Sequence, residues 1–132
     1  MHKILVLFLI LISCRSATNV IDIKIIYVDK YMTSLYDISC GAFEWEFSQH
    51  LQKKTIVDVN TKKYILNRIS LLSISQSNPE PFDTRLKCLI LSSDKTDELC
   101  LDAFDGIQFN GQLMEKDTLL SQMIKNICWN HK

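Results

Sequence analysis

Glycine and proline are scarce, three of the first and two of the second in 132 residues. Collagen-like and low-complexity chains are rich in them, so those classes are excluded. There is no CxxC pair, no HExxH pattern and no calcium-loop pattern, and His2, His50 and His131 stand far apart. The residues therefore offer no metal site and imply no cofactor. Charge of one sign is not in excess either, because 15 Lys and Arg meet 15 Asp and Glu. Without a long-range positive field, nucleic acid is not an expected partner. No apolar run approaches the roughly 20 residues that a helix needs to cross a hydrocarbon core about 30 Å thick. The longest, Ile4 to Ile12, has nine. Internal repeats are absent.

What is present is an apolar fraction of 47%, enough for a folded globule with one core. The nine-residue run follows the short cationic start Met1-His2-Lys3, and that order is the signature of a signal peptide. Its ending, Leu11-Ile12-Ser13-Cys14, resembles the lipobox of bacterial lipoproteins. The resemblance implies that Cys14 receives a diacylglycerol on its thiol, that residues 1–13 are cut away, and that the new amino terminus is acylated. Two or more acyl chains anchor stably where one gives only marginal binding, since each buried methylene contributes about 0.8 kcal/mol. The expected organisation is a signal peptide over 1–13, a lipid anchor and tether over 14–19, and one domain over 20–132. The expected address is the cell envelope, on the periplasmic or outer face of a membrane. Plain secretion is the alternative, although cleavage after Ala17 would put Arg15 where a small residue is wanted. Only Lys3 among the charged residues is lost with the signal, leaving 14 basic against 15 acidic side chains.

Along the domain, "VIDIKIIYV" (20–28) has the β-branched content of a strand, and "TSLYDIS" (33–39) reads as a second, short one. In "SCGAFEWEFSQHL" two periodicities compete. Phe43, Trp45 and Phe47 alternate as in a strand, while Phe43, Phe47 and Leu51 share a helical face; the helix is preferred, from about Cys40 to His50 with Ser39 as cap. The segment with Ile65, Ile69 and Leu72 at helical spacing is a longer helix, capped by Asp58 or Asn60 and ended by the two prolines of "QSNPEPFD". "TRLKCLIL", the polar "SSDKTDE" and "LCLDAF" form a hairpin; Asp105-Gly106 and Asn110-Gly111 are turn pairs; "DTLLSQMIKNIC" is a closing helix capped by Asp117. The predicted class is α+β: an antiparallel sheet of four to five strands packed against two longer helices.

Four cysteines remain beside Cys14: Cys40, Cys88, Cys100 and Cys128. In an oxidising envelope they can pair, and a hairpin centred near Asp94 would face Cys88 with Cys100. A shift of one residue destroys that pairing, and the alternative is four buried thiols packed as small apolar side chains. Trp45 leaves the Phe43 and Phe47 stripe in a helix, which makes it a candidate contact for a partner. Asp97, Glu98, Asp102 and Asp105 cluster in sequence as an acidic patch or a solvated edge. Ser92-Ser93-Asp94-Lys95 matches S-x-x-K by spacing, and Cys40 with His50 could be a nucleophile and base. The first falls in a turn rather than at a helix start, and the second lacks an orienting third group. The expected function is non-enzymatic: a lipid-anchored envelope protein held to a membrane, with a binding or accessory role toward a protein partner. Its alternatives are a periplasmic immunity or inhibitor protein against a toxin or hydrolase, and a small envelope hydrolase.

Overall fold

The structure is a computed structural model, and it describes residues 19–77 and 81–130. Cys14 and the predicted signal and anchor lie outside the described residues.

Among the described residues six strands form one antiparallel sheet: β1 Val20–Tyr27, β2 Gln52–Thr55, β3 Thr84–Ser92, β4 Thr96–Asp102, β5 Ile107–Phe109 and β6 Gln112–Met114. Their spatial order is β2-β1-β3-β4-β5-β6. Three helices accompany them: α1 Phe43–Glu46, α2 Val59–Ser70 and α3 Thr118–Trp129. The class is α+β, with more strands than the four to five predicted. The extra strand is β2, whose sequence QKKT carries no apolar residue and so gives no hydrophobic signal. It is an edge strand, where lysines discourage pairing with other chains. Residues 33–39, expected as a strand, are irregular.

Alternation along the strands divides the molecule into two layers of contact. On one face Ile23, Ile25, Leu86, Cys88, Leu99 and Leu101 pack against Ile65 of α2 and Leu120, Ile124 and Cys128 of α3. Both long helices begin as read from sequence: Asp58 accepts from the Thr61 N–H at 2.8 Å, and Asp117 from the Leu120 N–H at 3.1 Å. The second oxygen of Asp117 takes two donors from Arg68, at 3.0 and 2.7 Å, tying the last turn of α2 to the first of α3. On the other face Ile26 and Val28 are covered by Ile38, Phe43 and Phe47. That covering layer is the stretch between β1 and β2, and it caps only the end of the sheet away from Val20.

The turns follow local chemistry. Asn110 and Gly111 both take positive φ, 48° and 79°, as a two-residue hairpin turn requires. Asp105-Gly106 differs. The turn there is wider, from Asp102 to Gly106, because Asp102 accepts from the N–H groups of both Phe104 and Gly106, at 2.9 and 2.8 Å. An aspartate that captures its own downstream backbone sets the turn before the glycine can.

Candidate functional site

The covering layer is fastened to the sheet by a disulfide, and its partners correct the sequence reading. Cys100 is joined to Cys40, 60 residues earlier, with a Cα separation of 5.9 Å, and not to Cys88. The β3–β4 register explains the difference: Cys88 faces Leu99, and Cys100 faces Lys87. The hairpin closes through Ser92 and Lys95, with the Ser92 N–H donating to the Lys95 carbonyl at 2.9 Å, so its axis falls between residues rather than on Asp94. A slip of one residue puts the two cysteines on opposite faces. Cys88 points to the helices, and Cys100 points to the covering layer.

Around the bridge the layer is also held by polar contacts. The Lys87 side chain is buried and its ammonium donates to Glu44 at 2.9 Å, to Glu98 at 3.4 Å and to the Cys40 carbonyl at 3.4 Å. Arg85 pairs with Asp83, donates to the Ser34 hydroxyl at 3.0 Å and lies over the Phe47 ring at 5.4 Å. Asp83 in turn accepts from the Ile38 N–H at 2.8 Å. A buried cation left without its partners costs several kcal/mol, so these contacts fix the layer in one position.

The predicted helix over residues 40–50 contracts to α1, Phe43–Glu46. Ser39 does accept from the Ala42 N–H, at 3.2 Å, but this closes a turn ahead of the helix rather than capping it. Phe43 and Phe47 share a face, meeting edge to face with centroids 5.5 Å apart. Trp45 points the other way and is 79% exposed. Tyr36 donates to Glu46 at 2.8 Å, which places it beside the same turn, and that hydrogen bond holds its phenol above the ordinary range. Leu35 and Tyr31 are exposed in the same layer. Tyr31, Leu35, Tyr36 and Trp45 are thus exposed side chains of the layer that the disulfide joins to the sheet.

No family model, curated protein or solved structure matches the chain.

The hydrolase constellations do not assemble. Cys40 is spent in the disulfide, so it offers no thiolate to His50. Ser92 ends β3 rather than opening a helix, and Lys95 pairs with Asp97 at 3.5 Å. Among the described residues the two free thiols are buried: burial pushes Cys88 far up and Cys128 up to about 12, leaving both protonated and unreactive at neutral pH. Among the described residues no group of three His, Cys, Asp or Glu could hold a metal ion, and no helix is long and apolar enough to cross a membrane. The acidic sequence cluster separates as well. Asp97 and Glu98 engage Lys95 and Lys87 at one end of β4, whereas Asp102 and Asp105 lie at the other.

Cys40 as the bridging partner could not be deduced from spacing, because it depends on which sheet face the 28–51 stretch covers. The one available signal was the Phe43 and Phe47 stripe, which shows that α1 buries a face and brings Cys40 with it.

Proposed function

We propose that the chain is a lipid-anchored, non-enzymatic protein of the cell envelope that uses its covering layer to bind a protein partner. The observation that carries this reading is the Cys40–Cys100 bridge, because disulfides persist in oxidising compartments and are rare in a reduced cytosol. It supports export, which is what the lipobox-like Leu11-Ile12-Ser13-Cys14 would direct.

Strand geometry adds an orientation. From Cys14 to Val20 the tether reaches at most about 20 Å, so lipidation would keep the Val20 end of β1 at the bilayer. The covering layer follows the other end of β1, about 25 Å away at roughly 3.3 Å per residue. The exposed Trp45, Tyr36 and Leu35 belong to that layer. Anchoring raises their effective concentration near other membrane-bound proteins. An immunity or inhibitor protein is the second reading; the exposed Trp45 favours it, since Trp is enriched at interface hot spots.

Fractionation tests the anchor. The chain is expected in the membrane fraction, and Cys14→Ser is expected to move it to the soluble fraction without changing its unfolding midpoint. A wild-type chain already soluble would overturn the anchor.

A further inference from the structure

The described residues expose large apolar side chains at both ends of the sheet. Leu35, Tyr36 and Trp45 belong to the covering layer, whereas Val57 and Val59, 84% and 61% exposed, follow β2 at the opposite end. Register puts the two valines there. β2 runs antiparallel to β1 with Thr55 facing Lys24, and the Ile56 N–H donates to the Ile23 carbonyl at 2.9 Å. The chain leaving β2 therefore runs past Ile23 in the direction of Val20. At roughly 3.3 Å per residue, Val57 comes within about 10 Å of it.

The surface around the valines mixes apolar and cationic groups. Asp58, between them, is turned onto its own helix, where one oxygen accepts from the Thr61 N–H and hydroxyl at 2.8 and 2.7 Å. The first turn of α2 carries no acidic residue. Lys63 and Tyr64 are exposed one turn further on, and Lys24 is exposed on the neighbouring strand. Such a set suits the boundary between water and lipid. Aliphatic groups enter the acyl region, a tyrosine ring sits at headgroup level, and lysines keep their ammonium groups in the polar layer.

We propose that Val57, Val59 and Tyr64, with Lys24 and Lys63, form a membrane-docking surface, occupied by the lipid bilayer to which Cys14 is tethered. The assignment rests on lipidation of Cys14. The tether decides the occupant: six residues separate Cys14 from Val20, a reach of at most about 20 Å, so an acylated Cys14 holds this corner beside the headgroups. Two valines bind a bilayer weakly by themselves, but a tethered surface meets it as an intramolecular event at high effective concentration. Docking turns a loose tether into a fixed orientation, with the covering layer left at the far end of β1.

The test uses the full chain, purified with its acyl chains and reconstituted in vesicles of phosphatidylethanolamine and phosphatidylglycerol. A nitrobenzoxadiazole label is placed on Asn60→Cys, beside the valines, or on Leu35→Cys, in the covering layer. Both positions are exposed, while the bridge and the buried Cys88 and Cys128 leave the new cysteine as the reactive one. Flotation with the vesicles reads the anchor, and quenching of the label reads the docking. Nitroxide on the lipid chains is expected to quench the label at 60. Aqueous iodide should quench it roughly tenfold less than the label at 35, since a surface seated about 5–10 Å into the headgroup boundary excludes water. Adding Val57→Asp and Val59→Asp should restore iodide quenching at 60 while the chain still floats, because neither valine belongs to the core. Equal iodide quenching at 60 and 35 in a floating chain would overturn the docking and leave the anchor standing. A label at 60 that stays shielded after both valines are replaced would do the same. A chain that does not float would overturn the anchor and the docking with it.

Discussion

Replacing both Cys40 and Cys100 by Ser, or reducing their bridge, is expected to cost about 4 kcal/mol and to lower Tm by roughly 15 °C. The bridge closes a loop of 60 residues, and in the chain-entropy account a loop of that length constrains the unfolded state by about that much. Among the described residues no other thiol can take its place on that face. Cys88 lies on the opposite side of β3, against the helices, and Cys128 is buried there with it. The loss should also be uneven. The face formed with α2 and α3 is built from fully buried residues such as Ile65, Leu99, Leu101 and Ile124, which do not depend on the bridge. The covering layer is smaller, and its apolar contacts number few beyond Ile38, Phe43 and Phe47. Hydrogen exchange of the reduced protein should therefore rise first at residues 28–51, while β3, β4 and α3 keep their protection. A bridge whose loss costs less than about 1 kcal/mol, with uniform exchange, would contradict this division of the fold.

Raising the pH from 8 to 10 is expected to cost about 3 kcal/mol, read as a shift of the urea midpoint under non-reducing conditions. An unfolded cysteine titrates near 9.0, whereas burial raises Cys88 and pushes Cys128 up to about 12. For an acid whose pKa is raised by folding, the stabilisation is complete below the unfolded value and is lost above it. Each thiol then loses about 1.4 kcal/mol per pH unit between the unfolded and folded values. Tyr27, also raised by burial, adds to the loss above pH 10. Lys125 acts in the opposite sense: burial lowers it, the carboxylates Asp105 and Asp102 restoring part. Its contribution is unfavourable at neutral pH and is relieved as pH rises toward 10.5, which softens the fall without reversing it. The double variant Cys88→Ala, Cys128→Ala should flatten the profile between pH 8 and pH 10. A wild-type midpoint that does not move over that interval would show that neither thiol is held protonated by the fold.

How far the sequence discloses this structure depends on the element. Helices α2 and α3 are legible because a recurring apolar stripe and an aspartate cap are both local signals, and Asp58 and Asp117 act as read. The hairpin from β3 to β4 and the Asn110-Gly111 turn are legible for the same reason. The polar edge strand β2 is not, since its pairing with β1 rests on backbone hydrogen bonds that any residue can make. Nor is the bridge. A register error of a single residue reverses the face of every side chain on β4, and nothing in "SSDKTDE" distinguishes a turn centred on Asp94 from one centred beside it. The exposure of Trp45 was legible once Phe43 and Phe47 were taken as one face.

The proposed protein is an exported domain, anchored through Cys14 and fastened through the Cys40–Cys100 bridge. Its most direct test is mass spectrometry of the membrane-purified chain, alkylated and digested without reduction. The account predicts an amino-terminal peptide beginning at Cys14 and carrying acyl chains, one cross-linked peptide joining Cys40 to Cys100, and alkylated Cys88 and Cys128. An unacylated amino terminus together with four alkylated domain thiols would contradict it.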